Sequence, residues 1–313
     1  MENIRTDLAL EAHEMYTEKA ECEQKPEGVT VEEKQAGGIH VTKITIETEA
    51  GEKTLGKPKG TYVTIEAPEI KYSVETYENT CRILGEELRQ MAEIHEDTVT
   101  LVVGLGNDRI TPDALGPKVI DNLMVTNHMH QHMREYLDEG ISSVCAIAPG
   151  VLGTTGMETA EIIKGIVSQV HPDLIIAVDA LASRSLDRIS TTIQLADTGI
   201  SPGAGVENNR ASLNEKTLGT KVIAIGVPTV VDAATIASDS IDLAMRDLEE
   251  EEMSFRQKHA LMKEALSKNI GRLMVTPKDI DLVIEKTSKT VANGINMALH
   301  KNLTFDLIES FVG

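Results

Sequence analysis

Tryptophan is missing from these 313 residues, and five Tyr and three Phe bring the aromatic share to only 3 %. A surface that stacks sugars or bases needs more flat side chains than this, and the plentiful Val, Ile, Leu, Ala and Met suit aliphatic sheet-and-helix layers instead. Basic residues are also short, 30 against 50 acidic, for a formal net charge of −20. That balance repels a phosphate backbone and argues against nucleic-acid binding. The three cysteines, Cys22, Cys81 and Cys145, form an odd, sparse set without CxxC spacing, so no disulfide framework or zinc ribbon is expected and a reducing compartment is. The longest apolar runs, such as LIIAVDALA, are about half the ~20 residues of a membrane span, and the N-terminus lacks a signal-peptide core. The reading is of a protein inside the cell and away from membranes.

What is present has two textures. Residues 1–24 are polar with helical spacing and end at Lys-Pro-Glu-Gly. In RTDLALE, Thr6 reads as a helix N-cap with Asp7 in the first turn; the same acidic-then-apolar step near a terminus also reads as a bond a protease could cut. From Val29 to Pro68 the period changes to two, predicting an antiparallel meander. Residues 74–95 return to helix, with Leu84, Leu88 and Met91 on one face. From Thr98, the strands VTLVVGLG, SVCAIAPG, DLIIAVDAL and KVIAIGVP alternate with helical stretches near 116–125, 156–169 and 229–248. The fold class expected is α/β: a doubly wound, mostly parallel sheet flanked by helices, with a small N-terminal antiparallel β unit. RISTTIQLAD predicts an antiparallel excursion at a sheet edge, 247–268 a charged helical insertion, and GRLMVTPKDID a short strand followed by a Thr-Pro helix start.

In an open α/β sheet, ligands sit beyond the carboxyl ends of the strands. Two acids stand there: Asp113 in GLGNDRITPDALGPK and Asp179 at the end of IIAVD. Alone, each also reads as turn or cap chemistry. Together at one sheet end, they form a pair whose shared proton would split their pKa values into a base and an acid around one water. Competing patterns are weaker. Gly104-x-Gly106 has Arg109 where a dinucleotide fingerprint needs its third glycine, and no P-loop or Gly-x-Ser-x-Gly elbow occurs. Asp197-Thr198-Gly199 is the tripeptide of pepsin-like proteases, but a single copy in an α/β chain reads better as a strand-end turn. A metal is the rival occupant, with Asp232 the best third ligand; His128, His130 and His132 alternate in a polar helical run that suits solvent.

The segments GLGNDRITPDALGPKVIDNL, APGVLGTTGMET, IIAVDALASRS, ISPGAGVENNR, VIAIGVPTVVDAATI and LMVTPKDID together resemble the germination proteases of spore-forming bacteria. That resemblance implies a fold similar to the hydrogenase-maturation endopeptidases and an atypical aspartic-type endopeptidase whose catalytic aspartates match Asp113 and Asp179. It implies small acid-soluble spore proteins as substrates, cut between an acidic and an apolar residue in a Thr-Glu-(Phe/Ile)-Ala setting. It further implies a homotetrameric zymogen of the forespore and spore-core cytoplasm that removes its own propeptide. Thr6-Asp7-Leu8-Ala9 matches the cleavage setting position by position, which makes Asp7-Leu8 the processing bond; Thr17-Glu18-Lys19-Ala20 places a charge where the apolar residue belongs. The relatives in hydrogenase maturation hold a metal with a histidine, whereas Val227-Pro228-Thr229 offers none, so no cofactor or metal is expected. The division expected, within one compact domain overall, is a propeptide over 1–7, a helix and meander over 8–73 and an α/β catalytic core over 74–313. Arg184, with Lys118 behind it, is the candidate for binding the substrate's acid, since a guanidinium forks onto a carboxylate; either also reads as a surface charge in an acidic protein. Asn107 and Asp232 are candidate supports.

Overall fold

A computed structural model describes residues 6–20, 26–95, 97–137, 139–201, 211–237, 240 and 273–312. The expected charged insertion at 247–268, Cys22, and most of ISPGAGVENNR lie outside the described residues. The described chain is built on one nine-stranded mixed sheet, in the order β1-β2-β3-β7-β8-β6-β4-β5, with β9 paired to the far part of β8. The strands are β1 (Val29–Ala36), β2 (Ile39–Ile46), β3 (Gly60–Glu66), β4 (Val99–Gly104), β5 (Ser143–Ile147), β6 (Leu174–Ser183), β7 (Thr192–Ala196), β8 (Lys221–Asp232) and β9 (Met274–Val275).

Strands β5, β4, β6 and β8 run parallel, and their near-continuous apolar sequences suit strands covered on both faces. Every other pairing is antiparallel. The sheet is therefore α/β as expected but not mostly parallel. The small N-terminal antiparallel unit is present as β1-β2-β3 and runs on into the rest of the sheet, because β3 pairs with β7 and β7 with β8. RISTTIQLAD supplies β7, which is antiparallel as expected yet interior, with both of its edges occupied.

Helices cover both faces. Across one lie α3 (Val74–Ala92), α4 (Leu115–Asp121) and α9 (Ile280–Leu299), whose Leu84, Leu88, Leu115, Val119, Val291 and Ile295 pack on Ile65, Val102, Ile176, Val178, Leu195 and Ile225. Helix α3 starts where Ser73 Oγ accepts from the Thr76 N–H (3.1 Å), and its apolar stripe meets α9 closely enough that Gly85 faces the Gly294 backbone. Leu84 and Leu88 are fully buried, so truncating either to Ala would cost about 2–5 kcal/mol. On the opposite face, α1 (Ala9–Ala20) and α2 (Glu49–Leu55) cover the antiparallel half, while α7 (Thr159–Val170) and α8 (Glu215–Leu218) cover the parallel half. The short helices α5 (Asn127–His132) and α6 (Leu152–Thr155) and the C-terminal α10 (Phe305–Val312) are also present among the described residues.

Three local expectations change. Helix α1 begins at Ala9, so Thr6 is not its N-cap; Thr6 Oγ1 instead accepts from the Leu8 N–H (3.0 Å) in a turn before the helix. Helix α2 fills the EAGEKT stretch between β2 and β3, capped by Thr48. Strand β8 continues through Thr229 to Asp232, so the helix expected from 229 starts later, at 233 among the described residues.

Candidate active site

Asp179 belongs to β6, where Ile175, Ala177 and Asp179 alternate onto the face shared with α1 and α7. Strand β6 outruns its neighbour β4: the last pair is Gly104 with Val178, after which the Leu105 N–H donates to the Val178 carbonyl (2.7 Å) and the β4 chain turns away. Asp179 thus stands at the carboxyl end of the parallel strands, 6 % exposed, with Oδ1 accepting from the Ala180 N–H (2.9 Å). Across the sheet it is opposite Gly226 of β8, which is opposite Gln194 of β7. The three residues form one row on one face, with about 10 Å between the outer Cα atoms.

Asp113 reaches the same sheet end through a turn that only glycine permits. Gly106 has φ +110, and a Cβ there would overlap the Asp113 carbonyl oxygen; a Cβ on Gly104 would strike the Gly116 backbone at the start of α4. The Asn107 N–H can then donate to both the Asp113 carbonyl oxygen (3.0 Å) and its carboxylate Oδ2 (2.9 Å). Thr229 Oγ1 of β8 donates to the Pro112 carbonyl (2.7 Å), pinning the turn, and Thr276 Oγ1 donates in turn to the Thr229 carbonyl (3.0 Å). The Thr111–Asp113 turn packs against β6 and β8. Gly104-x-Gly106 is thus a close-packing device for the Asp113 turn, and Thr229, where a histidine ligand would be sought, holds that turn with its hydroxyl.

The N-terminal segment lies over the extension of β6. The Asp7 N–H donates to the Ala182 carbonyl (3.0 Å) and Asp7 Oδ2 accepts from the Ala182 N–H (2.8 Å), while Lys57 Nζ donates to the Thr6 carbonyl (2.9 Å). Leu8 is fully buried. Glu11, 2 % exposed, accepts from the Arg184 N–H (2.7 Å), the Ser185 N–H (2.9 Å) and the Thr6 hydroxyl. Arg188 takes Glu14 with both terminal nitrogens (2.7 and 2.6 Å), Glu66 with Nε (3.1 Å), and lies 3.4 Å from Glu11. Burial works to lower its pKa, but the hydrogen bonds and charges of Glu14, Glu66 and Glu11 outweigh it and hold the guanidinium above its ordinary value.

The remaining candidates are scattered. The Arg184 guanidinium lies 3.7 Å from Glu18, and Lys118, exposed on α4, is 3.8 Å from Asp121. Asp232 closes β8 and accepts from the Ala234 N–H (2.7 Å), starting the next turn. Asp197 accepts from the Thr61 N–H (2.8 Å) in a turn after β7, the role expected for that tripeptide. Cys145 of β5 is only partly buried, and burial raises its thiol pKa. Among the described residues no three His, Cys, Asp or Glu side chains are grouped to hold a metal ion, and no helix is long and apolar enough to cross a membrane. Gln194 and Ala182 escaped sequence reading: one is a polar residue in an alternating strand, the other acts through its backbone.

A sequence model described as germination protease matches residues 9–257 and 252–312. The chain is 47 % identical to the germination protease of Clostridium tetani over 99 % of each chain, and 46 % identical to that of Clostridium acetobutylicum over the whole of both. The germination protease of Bacillus cereus is 41 % identical over 97 % of this chain and 95 % of its own. The class of protein is thereby a peptidase, a hydrolase acting on protein. The chain belongs to the germination protease family.

Proposed function

We propose that the chain is the endopeptidase that begins the breakdown of small acid-soluble spore proteins at germination, cutting between an acidic and an apolar residue. Asp113 and Asp179 share one proton: the ionised member takes a proton from water as it adds to the scissile carbonyl, and the protonated member gives its proton to the carbonyl oxygen. Collapse of that intermediate returns a proton to the leaving nitrogen. The observation that carries this reading is the meeting of the Asp113 turn with β6 and β8 beside the strand end bearing Asp179. The chain is made as a zymogen of the spore-core cytoplasm, assembles as a homotetramer and removes residues 1–7 by cutting Asp7-Leu8. Support for that bond comes from the seating of Asp7 on Ala182, three residues past Asp179.

The test is substitution of each acid by its amide. Asp113→Asn and Asp179→Asn are each expected to abolish both the loss of residues 1–7 and the cleavage of a Thr-Glu-Ile-Ala peptide; wild-type rates in either variant would sink the dyad. The same assay with a chelator separates the metal-dependent alternative, because a dyad keeps its rate when divalent ions are withdrawn.

A further inference from the structure

One side chain spans the Asp7-Leu8 bond. Gln194 Nε2 donates to the Asp7 carbonyl oxygen (3.2 Å), and Gln194 Oε1 accepts from the Ala9 N–H (2.7 Å). Gln194 is 7 % exposed and sits in the row that contains Asp179, on the same sheet face, with Gly226 as the middle residue of the row. A side chain at 226 would displace Leu181, which lies over the glycine. A carboxamide is the neutral side chain that offers a donor and an acceptor together, which is what a backbone carbonyl and the N–H two residues on require. The donor falls on the carbonyl oxygen that would gain negative charge when water adds, where a fixed N–H is worth most.

We propose that Gln194 is a substrate-positioning residue of the peptidase. It holds the carbonyl of the bond to be cut with Nε2 and holds the backbone N–H two residues on with Oε1. This rests on the reading of Asp7-Leu8 as the self-processing bond. A purely structural Gln194 would only anchor the start of α1 through the Ala9 N–H, and the two roles differ in which half of the carboxamide matters.

The experiment follows the loss of residues 1–7 from the full chain by mass spectrometry. Gln194→Glu preserves length and the acceptor for Ala9 but, when ionised, removes the donor and sets a negative charge beside the carbonyl. Gln194→Met removes both. Each is expected to process more slowly by about 10²-fold. The deficit of Gln194→Glu should shrink as pH falls, because the protonated carboxyl regains an O–H donor, whereas that of Gln194→Met should persist. Melting curves identify which variants are folded; if one is not, the other decides. A folded Gln194→Glu or Gln194→Met chain that processes at the wild-type rate, or a Gln194→Glu deficit unmoved by pH, overturns the inference. A wild-type chain that keeps residues 1–7 overturns the processing reading itself, so the two failures are told apart.

Discussion

Asp7 and Ala182 exchange two hydrogen bonds, one from the Asp7 N–H to the Ala182 carbonyl (3.0 Å) and one from the Ala182 N–H to the Asp7 carboxylate (2.8 Å). The acid before the proposed processing bond therefore meets a backbone N–H on β6, the strand that carries Asp179. A hydrogen bond to a charged group is worth about 1.5–3 kcal/mol, so Asp7→Ala should slow loss of residues 1–7 by roughly 10–100-fold. Asp7→Asn, which keeps an acceptor oxygen, should fall between Ala and wild type. A time course by mass spectrometry ranks the three, and an Asp7→Ala chain as fast as wild type removes the contact from the reaction.

Gly106→Ala tests whether the glycine pair serves Asp113. The new Cβ would meet the Asp113 carbonyl oxygen at a residue already at φ +110, and relief requires the turn to swing away from Asn107 and Thr229. We expect a loss of stability of about 2–4 kcal/mol in urea titrations. Peptidase activity should fall further than the folded fraction does. Full activity in the folded fraction would mean that Asp113 can move without consequence.

The parallel half of the sheet was legible because a strand buried on both faces is apolar along its whole length, as in LIIAVDALA. Its carboxyl ends then pointed to Asp113 and Asp179. The interior place of strand β7 was not, because alternation in RISTTIQLAD reports which face is buried and says nothing about who pairs with either edge. Gln194 was hidden for the same reason: its row with Gly226 and Asp179 exists only once register is fixed. Ala182, Arg184 and Ser185 receive the acids of the N-terminal segment through main-chain N–H groups, and a main-chain donor leaves no mark on residue type.

Arg188, with its side chain 14 % exposed, ties α1 to β3 and to the segment after β6 by bonding Glu14 and Glu66 and facing Glu11. Removing the cation takes the charge partner from Glu11, the one of the three that is cut off from water, and breaks the hydrogen bonds to the more exposed Glu14 and Glu66. Arg188→Met should therefore destabilise the chain by about 1.5–3 kcal/mol, read from the urea midpoint at neutral pH. Arg188→Lys should recover little, since an ammonium cannot fork onto Glu14 while also reaching Glu66. Amide hydrogen exchange in α1 should accelerate in both variants. Unchanged exchange there would show that Leu8, Ala9 and Leu10 hold the helix by apolar packing alone.

His300 makes stability fall toward acid. It is fully buried after α9, and its Nδ1 accepts from the Ser142 N–H (3.3 Å), which leaves the ring proton on Nε2. Burial, aided by His130, lowers its pKa from 6.5 to about 4, against a smaller opposing pull from the Met124 carbonyl. Above pH 6.5 neither the folded nor the unfolded chain holds this proton, and the native state keeps its full stability. Between pH 6.5 and about 4 the unfolded chain binds a proton that the native one does not, so native stability declines through that window by about 3 kcal/mol. His300→Gln retains an acceptor for Ser142 and lacks the titration. Urea unfolding at pH 7, 5.5 and 4.5 should give a wild-type curve that drops more steeply than the variant's, with the difference closing as pH falls; parallel curves would show that His300 ionises without penalty. Any self-processing reaction run in mild acid would then start from a fold weakened at the junction of α9 and β5, the strand beside the one whose end leads into the Asp113 turn.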